Sequence, residues 1–239
     1  MARRSNSTCY MCDAPATSRE HAPALCFFPE QTDSIGGIDL RRNLITVPSC
    51  DPHNTAKATD DEYLWLVILA TNSLNDCGEQ MVRTKVTRSI DRSPALASTL
   101  LDDAIPAQVY NSIRGEWQQT VLAEFEKTRF YTRLEMVGRA LWFHHFKRKW
   151  RASVTAFPNF VTFHPASVPS AASRAYRQVL SIADKGFLNA PRHGENPSAF
   201  FYQVHADHTQ GLIRATFYGL AAVTLAFTPK PMGPTELFV

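Results

Sequence analysis

Cys9 and Cys12 stand two residues apart near the start of the chain, and Cys50 and His53 repeat that spacing further on. Two intervening residues let both donor atoms of a pair face one tetrahedral ion, so each pair is half of a Cys3His ligand set. If one ion takes both halves, residues 9–12 and 50–53 must meet in the fold, whatever lies between them. No other feature of the 239-residue sequence constrains the chain so strongly. Cys9-x-x-Cys12 alone would also suit a thiol–disulfide enzyme, but that chemistry places its pair where a strand ends and a helix begins. Here Asp13, Ala14 and Pro15 follow, a poor start for a helix. The plainer reading of the second pair is a buried thiol beside a surface imidazole. The matched spacing favours a structural zinc site instead.

Composition narrows the remaining options. The chain is 44% hydrophobic and 20% charged, enough apolar content for a sizeable core. Its longest apolar run, around Leu64 to Ala70, is far too short to span a bilayer. The leading "MARRSNSTCYMC" has the charges of a signal peptide without an apolar core, so a cytoplasmic protein with no membrane partner is expected. Five cysteines, an odd number, argue against a disulfide framework. Cys26, among Leu25, Phe27 and Phe28, reads as core, and Cys77 has no partner pair. A net charge of +3 permits nucleic-acid binding without arguing for it.

The fold class expected is α+β. Turn formers dominate the first sixty residues, with one strand-like run, "NLITVP", and then "ATDDEYLWLVILATN", a helix capped by Thr59 or Asp60. Residues 94–150 show helical periodicity, with Trp117, Val121, Phe125, Leu134, Val137 and Leu141 at threes and fours. "NFVTF", between Pro158 and Pro165, reads as a strand, and "SAASRAYRQVLSIADKG" as a helix ending near Gly186. The tail from Ala199 carries three strand-like runs separated by "HTQG" and "YGL", the pattern of an antiparallel meander. Three regions follow: 1–72, a helical 73–155, and an α+β extension over 156–239.

Between the two metal half-sites lie Glu20-His21 and Asn43, with Asn54 directly after the second half-site and Lys57 three further on. Read as "CYMC", "REHAP", "RRNLITVPSC" and "CDPHNTAK", the first sixty residues resemble the zinc-containing HNH endonuclease family. The resemblance implies a ββα-metal core in which a hairpin and a helix enclose a catalytic divalent ion. It implies that Glu20 and Asn54 hold that ion, that His21 is the general base, and that Asn43 orients His21. An imidazole titrating near neutrality can take a proton from water, and oxygen ligands suit magnesium or manganese better than zinc. Lys57 would add positive charge near a phosphate, unless it is a plain solvated helix residue.

The sequence departs from the family pattern at three positions. His53 stands where cysteine is commoner, so it is either the fourth zinc ligand or part of the catalytic site. Glu20 replaces the commoner aspartate, and Thr55 stands where a second asparagine is often found. The function expected is metal-dependent hydrolysis of phosphodiester bonds, with double-stranded DNA as partner by family resemblance. The alternative is a zinc-knuckle module that binds nucleic acid or a protein without cleaving.

One dense basic run, "FHHFKRKWR", ends the helical region. Lys147, Arg148, Lys149 and Arg151 could contact phosphates with Trp150 stacking nearby, or simply form the cationic end of a helix. His205 and His208 read as ordinary surface histidines. The extension is open to three tasks: positioning nucleic acid, recognising a partner, or forming a homodimer.

Overall fold

A computed structural model describes residues 7–54, 58–71, 74–92, 98, 102, 104–111, 116–160 and 171–229. The chain is mixed α and β, as expected, and its largest element is a five-stranded antiparallel sheet. The N-terminal segment forms a short hairpin from β1 (Ser18–His21) and β2 (Thr46–Ser49), paired with Glu20 opposite Val47 and His21 opposite Thr46. The segment joining these strands is mostly irregular, with three single 3-10 turns. One helical turn, α1 (Asp51–Asn54), follows β2, then α2 (Ala58–Leu69).

Helix α2 is apolar nearly all round and buries Tyr63 through Leu69, as a helix enclosed by its neighbours should. Its first-turn acids face arginines of the long helix α5 (Lys127–Phe146): Asp60 pairs with Arg129 at 2.6 Å and Asp61 with Arg133 at 2.5 Å. Between them run α3 (Asp76–Met81), a π-helical stretch over Val82–Val86, and α4 (Thr87–Arg92). Cys77 lies inside the first turn of α3.

Among the described residues of 94–150, the expected helix is found at Ser98 and over Lys127–Phe146, while 94–97, 99–101 and 103 lie outside the described residues. Before Lys127 stands a second hairpin, β3 (Ile105–Asn111) and β4 (Glu116–Leu122). Trp117 and Val121 lie four apart, a spacing that fits one face of a helix and equally one face of a strand, since four is a multiple of two. Aromatic and β-branched residues favour the strand.

The C-terminal sheet has strand order β5-β9-β8-β7-β6, all antiparallel, from β5 (Ser153–Pro158), β6 (Arg192–Asn196), β7 (Phe200–Ala206), β8 (Gly211–Phe217) and β9 (Ala221–Thr228). The expected meander is β7-β8-β9, and the structure adds a strand at each edge. The strand expected at "NFVTF" lies earlier, because β5 ends at Pro158, and 161–163 fall outside the described residues. The division expected at 155/156 falls inside β5. Helix α6 (Ala171–Phe187) ends within one residue of the expected Gly186.

Helix α5 crosses the sheet closely at Gly138, where an added Cβ would meet the Leu225 methyls at 3.2 Å. Around that crossing Trp142 packs on Phe227 and Trp150, with centroids 4.6 and 4.5 Å apart. Among the described residues, no helix is long and apolar enough to cross a membrane.

Candidate metal centre and the hairpin beside it

The two half-sites meet at the base of the β1–β2 hairpin. The Cys9 amide donates to Ala14 and the Tyr10 amide to Pro48 at 2.8 Å, which ties the first knuckle to β2. The second knuckle closes as the His53 amide donates to the Cys50 carbonyl at the start of α1. Tyr10, between the two cysteines, is buried in the main core.

The four donor atoms lie within 4.8 Å of one another. His53 Nδ1 is 3.6 Å from Cys9 Sγ, 3.5 Å from Cys12 Sγ and 3.2 Å from Cys50 Sγ, and the Cys12 and Cys50 sulfurs are 3.7 Å apart. Ligands about 2.3 Å (sulfur) and about 2.0 Å (nitrogen) from a tetrahedral centre would sit roughly 3.8 Å apart as S–S and roughly 3.5 Å apart as S–N. The donor set therefore fits a tetrahedral ion such as zinc. A disulfide does not fit, because bonded sulfurs lie about 2.05 Å apart. All five cysteines are free thiols. His53 turns its nitrogen to the three sulfurs, so it belongs with the cysteines and not beside Glu20.

The surroundings favour thiolate at Cys9. Burial pushes the Cys9 thiol up, but backbone N–H groups of Met11, Cys50 and Cys12, with the Cys50 side chain, outweigh it and bring Cys9 down to about 6. Burial raises Cys50. Cys26 and Cys77, away from this cluster, are pushed up by burial to about 12 and about 11, as inert packed thiols should be.

Lys149 donates from Nζ to the Cys12 carbonyl at 2.6 Å and to Asp13 at 3.1 Å, and Arg151 pairs with Asp13 at 2.5 Å. These two cations of the basic run clasp the Cys9–Cys12 knuckle, and three thiolates around a dication would leave a net negative charge there for them to offset. Trp150 is buried against Trp142 and Phe227, with Nε1 donating to the Ser153 carbonyl, so it is a core residue and no stacking platform. Lys147 and Arg148 remain exposed just past the end of α5.

Strand alternation sorts the proposed catalytic residues. Ser18 and Glu20 share one face of β1, toward α1. Glu20 is buried and accepts from Ser49 Oγ at 3.3 Å, while Asn54 Nδ2 donates to Ser18 Oγ at 2.7 Å. Arg19 and His21 share the other face. Arg19 bonds Thr46 Oγ1 through Nε and Nη2 at 2.9 and 2.7 Å. His21 is half-buried, and burial lowers it from the ordinary imidazole value, which keeps it neutral near pH 7.

Asn43 is not on a strand. It sits in the turn before β2 with φ of 52°, a left-handed conformation that asparagine tolerates, and its amide donates to Glu195 of β6 at 2.5 Å. Lys57 lies outside the described residues. His205 and His208 are exposed.

Sequence spacing gave no sign of a second gathering of polar rings. His145, in the last turn of α5, lies with ring centroids 5.0 Å from His193 of β6, and both rings border Tyr202 of β7. Only the tertiary fold joins this helix end and these two strands. No family model, no curated protein and no solved structure matches the chain.

Proposed function

We propose that the protein is a metal-dependent endonuclease that hydrolyses phosphodiester bonds, with double-stranded DNA as substrate, and that Cys9, Cys12, Cys50 and His53 hold a structural zinc. The observation that carries this reading is the order of elements around the Cys3His cluster. A hairpin bearing Glu20-His21 on its first strand is followed directly by the helical turn bearing Asn54. A purely structural knuckle has no need of a buried carboxylate beside a half-buried histidine on that strand.

In this reading the scissile phosphate lies at the end of β1, where His21 is the last residue. His21, neutral at pH 7, takes the proton of the attacking water. Glu20 and Asn54 offer oxygen atoms for a hard divalent ion, which when bound stabilises the charge on the leaving oxygen. The Asn43 amide is committed to Glu195, so its role here is to fix the turn ahead of β2 rather than to orient His21.

The test is incubation with supercoiled plasmid, with and without magnesium or manganese. Cleavage should require the added ion. His21→Ala should lower the rate by about a hundred- to ten-thousand-fold while zinc content is unchanged. Protonation removes the base, so the rate should be flat above the ordinary histidine value near 6.5 and fall on acidification below it. Binding of DNA with no cleavage under any metal would leave the zinc-knuckle binding module as the function.

A further inference from the structure

Arg19, exposed on β1, lies near enough to His144 at the end of α5 to act on its charge. There the rings of His145 and His193 meet at 5.0 Å, His193 lies over Tyr202 at 5.1 Å, and His145 Nδ1 is 3.4 Å from the Tyr202 hydroxyl. His144 approaches Tyr202 edge-on at 6.4 Å. Lys147 stands exposed one turn on, held in a left-handed conformation that ends the helix. Tyr202 is buried, and burial pushes its hydroxyl up to about 12, so it keeps its proton.

We infer that Arg19, His144, His145, Lys147 and His193 form an anion site that takes a phosphate group at the seam between the β1–β2 hairpin and the C-terminal sheet. Three elements far apart in sequence bring five cationic or protonatable groups together. The carboxylate nearest along β6, Glu195, is engaged by the Asn43 amide. Burial lowers both His144 and His145. Lys147 and His193 push both down further, and His145 and the Arg19 guanidinium add to the effect on His144. Among the described residues, burial, His193 and Lys147 act on His145, with no acidic group among them.

With the His144 and His145 imidazoles neutral at rest, the cluster offers ring N–H donors beside two fixed cations, Arg19 and Lys147, and a bound anion would favour protonation of these rings. A transition metal fits less well: among the described residues, the Cys3His set is the group of three or more donors close enough to hold an ion. The helix end would favour bound cations, yet burial keeps these two imidazoles neutral, so serving the helix dipole is not their resting role. The site itself is independent of the nuclease reading. Only its identification with a backbone phosphate beside His21 rests on it.

The experiment is a side-chain NMR titration of the histidines in zinc-loaded protein, without added magnesium or manganese. Inorganic phosphate should raise the midpoints of His144 and His145 by about half a unit to one unit, because a bound anion favours the imidazolium. The rise should shrink in Arg19→Gln and in Lys147→Asn, the latter chosen because asparagine tolerates the left-handed backbone at that position. Both positions are exposed, and zinc content checks that each variant is folded.

A non-cleavable single-stranded oligonucleotide forms the second arm. An equal rise at lower concentration identifies the ligand as backbone phosphate. A rise with inorganic phosphate alone identifies a free-phosphate site. Midpoints that stay fixed with both ligands overturn the inference. Plasmid cleavage does not enter this readout, so failure of the anion site and failure of the nuclease reading are separately visible.

Discussion

The β1–β2 hairpin pairs four residues with four, whereas β7 and β8 pair seven with seven inside a five-stranded sheet. An isolated two-stranded hairpin is marginal in water, and three or more strands with a buried face are needed for independent order. The sheet has that face, with Ile213, Phe217, Val223, Leu225 and Phe227 almost inaccessible to solvent. The N-terminal segment instead converges four ligand atoms. The sheet is held by apolar area that is always present; the N-terminal segment lends a few apolar residues to the same core and would owe the rest of its order to an ion at the Cys3His cluster. The seam between them is partly apolar, with Tyr10, Phe27 and Val47 in the same core as the sheet and Phe27 packed on Phe217 at 5.1 Å, and partly polar: Lys149 on the Cys12 carbonyl, Asn43 on Glu195, Asn196 on the Arg42 carbonyl, and Tyr218 on the Phe27 carbonyl.

The largest effect should come from removing the ion. Apparent zinc-binding energies of about 10–16 kcal/mol in small zinc sites act as folding energy. Cys50→Ser or a strong chelator should therefore release about one zinc per chain. Hydrogen exchange should show lost protection over residues 7–54 while β7, β8 and β9 keep theirs. Full zinc retention by Cys50→Ser would break the comparison at its root.

Next in size is Phe227→Ala in the sheet core. It should cost about 3–5 kcal/mol of global stability, read by denaturant unfolding, without changing zinc stoichiometry. Arg133→Met should destabilise by a similar amount, about 3–5 kcal/mol, because it leaves Asp61 charged and buried. Replacing Asp61 as well should recover much of that loss, since the pair then leaves together.

A smaller effect is expected from Lys149→Met, about 1–3 kcal/mol, from the lost charged hydrogen bond to Cys12. Zinc should dissociate faster in this variant, measured by transfer to a chromogenic chelator. An unchanged rate would mean that the clasp positions the knuckle without retaining its ion.

The smallest is a pH effect. The Arg88 guanidinium holds the Asp33 carboxyl below its ordinary value, so this pair stabilises the fold above the ordinary carboxylate range. That contribution should fade as pH falls through the lowered value, and Arg88→Gln should flatten the acid limb of a stability–pH curve.

Local chemistry made much of this legible in the chain itself. The two half-sites had to meet because four good ligands at matched spacing need one ion, and the meander followed from alternation broken by turn residues. Helix α6 ended where its glycine stood. The β3–β4 hairpin was hidden because Trp117 and Val121 keep step with both periods. The fate of the basic run was also invisible. Lys149 and Arg151 reach Asp13 across most of the chain, and Trp150 turns inward because the α5–sheet crossing leaves an aromatic gap there.

The sequence by itself determined which atoms can bind a metal and which runs can form strands, because donor chemistry and hydrophobic period are written residue by residue. Tertiary structure alone decided that His53 faces the sulfurs, that Glu20 and His21 part to opposite faces of β1, and that His145 meets His193. Those outcomes depend on strand register and on how α5 seats against the sheet, and no local pattern encodes a contact between elements that touch only after the core has packed.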